Sequence, residues 1–203
     1  MIALATHVHT PAEPLHGDID IAAEAAAVPP DYLAKGMFFS RLREKLGGEF
    51  GRVAGELSAP PKFGRYLAFN DYPQRDYLLL SGHAARKCYP GLSLCEAMRR
   101  LAREDFNVFA GSTVGKVMLS VVSDARRALL LVPSVYSKVA KGDWTLEAQE
   151  LGPDTVRVDF NPLPGRWEYT LGQLEGVVLA MKGTPQTTVH ELPNRHLRFD
   201  VRC

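Results

Sequence analysis

The chain has 203 residues, of which 46% are apolar and 23% are charged, a composition typical of one globular domain that buries most of its apolar surface. Its 24 basic and 23 acidic side chains leave a formal net charge of +1, without the basic excess that nucleic-acid-binding proteins carry. No apolar run approaches the roughly 18 residues that cross a bilayer, and the start lacks a secretion signal. We therefore expect no nucleic-acid partner, no membrane span and a cytoplasmic location.

The first 30 residues differ in composition from the rest of the chain. They are rich in Ala, Pro and His, contain no aromatic, Lys or Arg residue, and end in a Pro-Pro pair. This composition predicts a loosely packed extension at 1–30, followed by a single domain at 31–203. Alternating apolar residues at Ile2, Leu4 and Val8 also permit an edge strand within the extension.

The extension carries a His-x-His motif that resembles part of a metal site. His7 and His9 would lie on one side of a strand, and His16 follows nearby. No cysteine or carboxylate ligand lies at a suitable spacing, so we interpret these residues as tail histidines and predict no metal site.

Apolar residues recur at helical spacing through the first two thirds of the chain. We predict helices at 19–27, 38–46, 49–57, 73–88, 93–111, 113–122 and 125–140, and a short extended piece at 65–69. The helix at 93–111 begins with a capping box, in which Ser93 and Glu96 satisfy backbone N–H groups at the helix start. Pro133 should kink the last helix of this series, because proline cannot donate the hydrogen bond of that turn.

The last third changes to a period of two residues, which is typical of strands. Apolar residues alternate at 144–148 and 156–160 around a Gly-Pro-Asp turn, and at 187–192 and 197–201 around a Pro-Asn turn. A helix at 167–181 separates these two hairpins. The order of elements predicts an α+β domain with an antiparallel sheet of about four strands, covered on one face by helices.

A series of short motifs from Gly36 to the C-terminus resembles a known family. The motifs are Tyr72-Pro73, Asp76-Tyr77, Ala84-Ala85, Tyr89-Pro90-Gly91-Leu92, Glu96-Ala97, Arg99-Arg100-Leu101, Phe109-Ala110, Ser112-Thr113, Gly115, Glu150-Leu151-Gly152-Pro153, Gly172-Gln173-Leu174-Glu175-Gly176 and Arg198-Phe199-Asp200-Val201-Arg202. Their order and spacing resemble a paralogous family of single-domain proteins of roughly 200 residues, found mainly in myxobacteria and without an assigned function. The chain departs from that family in its histidine-containing start and in ending at Cys203.

At the level of the fold, that family is similar to the domain shared by 4-vinyl reductase sensor domains and TRAPP vesicle-tethering subunits, with haem-nitric-oxide-binding sensors nearby. The resemblance implies a protein that binds a small apolar molecule between helices and sheet, or that dimerises through its helices. Fold alone does not fix function, so both implications stay open.

No catalytic constellation stands out in the sequence. Asp105 lies close to an apolar helix face and Glu175 lies between glycines, and we interpret each as a structural carboxylate, with Arg75 or Tyr77 as potential partners of Asp105. His83 falls on the polar face of its helix, whereas an axial haem ligand would face an apolar cavity. We therefore predict no enzyme activity and no cofactor. The three cysteines, Cys88, Cys95 and Cys203, form neither a zinc pattern nor an even disulfide set.

Large apolar and small residues interleave in the helical region. Most of them should form the core, but a minority are candidates for the wall of a ligand cavity between the 93–122 helices and the sheet. The candidates are Tyr77, Ala84, Met98, Ala102, Phe106, Phe109, Met118, Tyr136 and Trp167. We predict a non-catalytic sensory or carrier module for a small apolar ligand. Because the small residues equally permit tight helix contacts, the alternative is a homodimeric interaction module whose protein partner is unknown.

Overall fold

The computed structural model describes residues 3–120 and 122–203, and these residues contain ten α-helices and eight β-strands. The helices are α1 (Ile21–Ala26), α2 (Gly36–Leu46), α3 (Phe50–Val53), α4 (Gln74–Cys88), α5 (Leu94–Ala102), α6 (Asp105–Gly111), α7 (Thr113–Leu119), α8 (Ala125–Leu130), α9 (Val132–Val139) and α10 (Trp167–Ala180). The strands are β1 (Ala5–His9), β2 (Leu33–Lys35), β3 (Asp71–Pro73), β4 (Ala140–Lys141), β5 (Thr145–Glu150), β6 (Thr155–Asn161), β7 (Gln186–Leu192) and β8 (His196–Arg202). None of the described helices is long and apolar enough to cross a bilayer.

The larger sheet has five antiparallel strands in the order β1-β7-β8-β6-β5. Alternation places one face against the helices, and its fully buried side chains are Val156, Val158, Phe160, Val189, Phe199 and Val201. The opposite face carries ion pairs such as Arg157 with Asp200. The α+β class and both predicted hairpins are confirmed, and the sheet has one strand more than predicted because β1 joins its edge.

Residues 3–30 pack against the rest of the chain, where their composition predicts a loosely packed extension. Strand β1 pairs with β7, while Ile2 lies outside the described residues. The segment also contributes five apolar side chains to the core, Leu15, Ile19, Ile21, Ala25 and Val28. The guanidinium group of Arg99 holds the segment in place, since it donates to the carbonyl oxygens of Thr10 and Glu13 at 2.8 Å each. Few apolar residues are therefore enough to hold this segment in place, because Arg99 also binds its main chain.

Two glycines of α10 allow that helix to lie directly against α5. A Cβ atom at Gly172 would meet the carbonyl oxygen of Arg99 at 2.1 Å, and one at Gly176 would meet that of Arg103 at 2.4 Å. The ion pair between Arg99 and Glu175 lies fully buried at the same contact. The close approach of α5 and α10 thus depends on the absence of these two side chains.

A second sheet of three short strands, in the order β3-β2-β4, was not predicted. Ala34 lies opposite Tyr72 on one side and Ala140 on the other. Strands of two or three residues are too short to show a period of two, which explains why the pattern missed them. The extended piece predicted at 65–69 forms no strand, because residues 68 and 69 belong to a turn in which Asn70 donates to the carbonyl of Leu67 at 3.0 Å.

Two of the predicted helices are divided in the structure. The helix predicted at 93–111 breaks at residues 103–104 into α5 and α6, and the one predicted at 125–140 breaks at Leu131. Pro133 at the start of α9 accounts for the second break, since it cannot donate a helical hydrogen bond. The helix predicted at 113–122 ends at Leu119, and residue 121 lies outside the described residues.

Candidate functional site

A cavity of about 130 Å³ lies between α4, α6, α9, α10 and the small sheet. Of the helices predicted at 93–122, α6 and α7 line the cavity and α5 does not, and β2, β4 and the segment at 163–166 also contribute to the wall. The wall has an aromatic side, a polar side and a mouth with charged residues. These three parts determine what the cavity can hold.

Aromatic rings form much of the apolar side. Tyr136 of α9 lies at the centre, with its ring 6.0 Å from that of Trp144 and 5.3 Å from that of Phe160, both in edge-to-face geometry. Phe106 and Phe109 of α6 continue the same wall. Edge-to-face arrangements of this kind stabilise aromatic clusters beyond their buried area, so the wall is preformed.

The polar side is a hydrogen-bond network centred on the buried carboxylate of Asp105. One carboxylate oxygen pairs with Arg41, and the other accepts from Tyr77 at 3.0 Å and from the amide nitrogen of Gln173 at 2.8 Å. Tyr169 lies 2.7 Å from the hydroxyl of Tyr77. Since the Tyr77 proton is directed to Asp105, Tyr169 acts as the donor in that contact. The predicted contact between Asp105 and Tyr77 is present, and the arginine that pairs with Asp105 is Arg41 rather than Arg75.

Tyr136 joins the network through Gln173. Its hydroxyl group donates to the side-chain oxygen of Gln173, whose nitrogen in turn donates to Asp105. Burial, with a further contribution from the charge of Asp105, raises the pKa values of Tyr77, Tyr136 and Tyr169. All three side chains are therefore neutral phenols at physiological pH.

The cationic side chains at the mouth are already paired. Lys141 lies 2.6 Å from Asp71, and Arg166 binds Glu168 and lies 2.9 Å from Glu24. Among the described residues that line the cavity, these two and no others carry a positive charge. The wall therefore offers no unpaired cation to an anionic ligand.

Four of the predicted cavity residues, Tyr77, Phe106, Phe109 and Tyr136, line the cavity. Ala84, Met98 and Ala102 are instead fully buried in the helical core, and Met118 packs against that core while partly exposed.

Trp167 lies on the other side of α10, where its ring stacks on His7 and His9 at 6.4 and 5.4 Å. The described residues contain no group of three or more His, Cys, Asp or Glu side chains placed to hold a metal ion.

Sequence reasoning missed Arg41, Trp144 and Gln173 as members of the site. Arg41 reaches Asp105 from α2, and Gln173 reaches it from α10. No local pattern connects residues so distant in the chain. The one usable signal was the position of Asp105 beside an apolar helix face, which marks a carboxylate that needs buried partners.

The α+β architecture of this chain occurs in solved structures. An H-NOX protein from S. oneidensis in the Fe(II)NO ligation state superposes with a TM-score of 0.65 at 11% identity, covering 83% of this chain and 98% of that one. The Fe(II) unliganded H-NOX protein from K. algicida gives 0.60 at 14% identity, with 83% and 95% covered. A mutant H-NOX from T. tengcongensis gives 0.57 at 16% identity, with 82% and 92% covered. At these identities the likeness concerns the fold alone.

A sequence model of one family matches residues 27–202 of the chain. The protein therefore belongs to the family described as Protein of unknown function (DUF2378). No curated protein sequence matches the chain. The match begins at residue 27. It therefore leaves out β1 and most of the N-terminal segment that Arg99 holds in place.

Proposed function

We propose that this protein is a non-catalytic sensory or carrier module that binds a compact, apolar small molecule in the cavity between α4, α9 and α10. The observation that carries the proposal is the combination of a preformed aromatic wall with a few convergent polar groups, as is usual for ligand sites. The fold shared with H-NOX proteins supports it, because those neighbours are described in ligated and unliganded Fe(II) states. Kinship with TRAPP subunits or 4-vinyl reductase domains, and a myxobacterial origin, stay predictions.

The residues of the cavity do not fit haem, the group named for the H-NOX family. Haem iron is held by His, Cys, Met or Tyr, and the first three are missing from the described residues of the wall. Tyr77, Tyr136 and Tyr169 are neutral and hydrogen-bonded to one another or to Gln173, so they are poor ligands. We derive no step that involves haem.

The absence of chemistry is part of the proposal. The hydroxyl of Ser81 faces the cavity but donates to the carbonyl of Tyr77 at 2.8 Å, so no base activates it. Both carboxylate oxygens of Asp105 already accept hydrogen bonds, one from Arg41 and the other from Tyr77 and Gln173. A carboxylate held in this way suits a structural role rather than proton transfer.

Binding of benzene tests the proposed function, with haem as a second probe. Engineered apolar cavities of about 150 Å³ bind benzene or xenon, so a cavity of 130 Å³ should bind benzene as well. Ala128→Leu adds volume inside the wall and should weaken benzene binding at least tenfold, as measured by NMR titration. Ala26→Leu makes the same change on the exposed face of α1 and should leave the affinity unchanged. Benzene binding that ignores Ala128→Leu, or saturable uptake of haem with a shifted Soret band, would contradict the proposal.

The homodimer is the second candidate, and exposed Leu67 and Phe69 in the loop before β3 favour it. Two of the small residues in the helices make close contacts within one protomer rather than between two. A Cβ atom at Gly115 would meet the carbonyl oxygen of Phe109 at 1.9 Å, and Gly172 serves the contact with α5. Light scattering at high concentration would decide this point, since a monomer would leave the ligand-binding module as the remaining proposal.

A further inference from the structure

We infer that the cavity takes a neutral, ring-sized molecule that carries a hydroxyl group, with simple phenols as the model compounds. This inference rests on the proposed function and adds the chemical class of the ligand. It draws on three independent features of the wall, namely its shape and aromatic lining, its unused hydrogen-bonding positions and its charge.

The size and lining of the cavity select a single ring. The volume of 130 Å³ is close to the roughly 150 Å³ that accommodates benzene. Tyr136, Trp144 and Phe160 already stand edge to face, and a guest ring between them and Phe106 continues that arrangement. Edge-to-face contacts favour an aromatic guest, since the ring edge is positive and the ring face negative.

The hydroxyl group of the ligand is inferred from the hydrogen-bonding positions of the wall that the Asp105 network leaves unused. Tyr136 donates its one proton to Gln173, so the lone pairs of its oxygen stay available as acceptors. The amide nitrogen of Gln173 carries two protons, of which Asp105 takes one. A neighbouring acceptor and donor on one wall match a hydroxyl group, which both donates and accepts. A ligand without such a group leaves both positions unpaired.

Charge excludes ionised ligands. Lys141 and Arg166 at the mouth are held by acidic partners, so a carboxylate or phosphate finds no cation. Asp105 is paired with Arg41 and hydrogen-bonded twice more, so a cationic ligand finds no unpaired carboxylate. An ion buried without a partner is strongly disfavoured, and the ligand is therefore neutral.

The test compares the dissociation constants of benzene, phenol and benzoate for the wild-type protein and two variants at pH 7. Tyr136→Phe removes the acceptor, whereas Tyr66→Phe makes the same change at a buried tyrosine outside the cavity. We expect phenol to bind the wild type at least as tightly as benzene, and benzoate not to bind. In Tyr136→Phe, phenol should weaken at least fivefold while benzene changes less than twofold, because a buried hydroxyl without a partner is costly. Tyr66→Phe should change neither.

The outcomes separate this inference from the proposed function. Benzene binding with no preference for phenol, or a preference that survives Tyr136→Phe, would overturn the hydroxyl assignment and leave the proposed function standing. Binding of benzoate would overturn the requirement for a neutral ligand. Failure of all three probes to bind the wild type would remove the proposed function itself. Benzene also reports whether Tyr136→Phe keeps the cavity, so a misfolded variant is recognised by the loss of benzene binding.

Discussion

Asp105 is the residue on which the polar side of the cavity depends. It lies 3% exposed and accepts hydrogen bonds from Arg41, Tyr77 and Gln173, which come from α2, α4 and α10. One carboxylate therefore links three helices and fixes the orientation of the wall. Hydrogen bonds to a charged group in a buried site are among the stronger ones in proteins.

Replacement of Asp105 by Asn should destabilise the protein strongly. The change removes the buried counter-ion of the Arg41 guanidinium and leaves the more exposed Glu104, at 3.5 Å, as its acidic partner, which costs about 3 kcal/mol of unfolding free energy. Urea unfolding of the two proteins measures the difference. Asp124→Asn is the matched control, because Asn caps a helix as well as Asp does and the other contacts of Asp124, with Ser123 and Arg127, lie at the exposed surface. A loss below 1 kcal/mol for Asp105→Asn would show that the network does not hold the helices together.

The buried tyrosines make stability depend on alkaline pH. Burial raises the pKa values of Tyr77, Tyr136 and Tyr169 above the ordinary value of 10.0. The unfolded chain then loses protons before the folded one does, so stability is fully present below about pH 10 and falls as pH rises further. Urea unfolding at pH 8, 10 and 11, followed together with tyrosinate absorbance, measures this loss. Full tyrosinate absorbance in a protein that is still folded at pH 11 would be inconsistent with the network.

At the scale of single residues, the sequence predicted part of each side of the cavity. Tyr77, Phe106 and Phe109 could be recognised because helical spacing places them on inward faces. Gln173 and Arg41 could not, since a polar residue on a helix gives no sign that it will meet a carboxylate from a distant part of the chain. Hydrogen-bond partners of this kind are set by the tertiary fold.

At the scale of elements, the contact between α5 and α10 decides how the helices are arranged above the sheet. Helix α10 is buried on almost all sides, and it lies between α5 and the sheet strand β8. Gly172 is at the point of closest approach to α5. Any side chain there must push the two helices apart or deform them.

Gly172→Ala should destabilise the protein by about 2–3 kcal/mol, because its Cβ atom would meet the carbonyl oxygen of Arg99 at 2.1 Å. Gly111→Ala provides the control within another helix. A Cβ atom at Gly111 meets nothing within 4 Å, so the gain in helix propensity should leave this variant equal to the wild type or stabilise it slightly. Thermal unfolding of both variants gives the comparison. Equal melting temperatures would mean that the two helices do not approach as closely as described.

The elements that could be predicted were those with a long, regular pattern. Both hairpins, β5 with β6 and β7 with β8, followed from alternation over six or seven residues, and α10 followed from its apolar face. The small sheet was missed because its strands have two or three residues. The close packing of the N-terminal segment was missed because side chains in and beside α5 bind its main chain. Arg99 does so from within the helix, and Ser93, its N-cap residue, donates to the carbonyl of Leu15 at 2.6 Å.

At the scale of the whole molecule, the cavity lies where the two sheets and the helices meet. Strands β2 and β4 border it, and the aromatic side chain of Phe160 reaches it from β6. The fold is shared with H-NOX proteins at 11–17% identity. What the cavity binds has to be argued from its own wall, because function depends on the site rather than on the fold.

The central claim is that this cavity binds a compact apolar molecule, and diffraction from a crystal under xenon pressure tests it most directly. Xenon enters dry apolar cavities of this size without chemical preference. We expect a xenon peak between Tyr136, Phe106 and Phe160, in a cavity whose wall keeps the arrangement described above. Absence of xenon from that position, with the side chains closed on one another, would contradict the account.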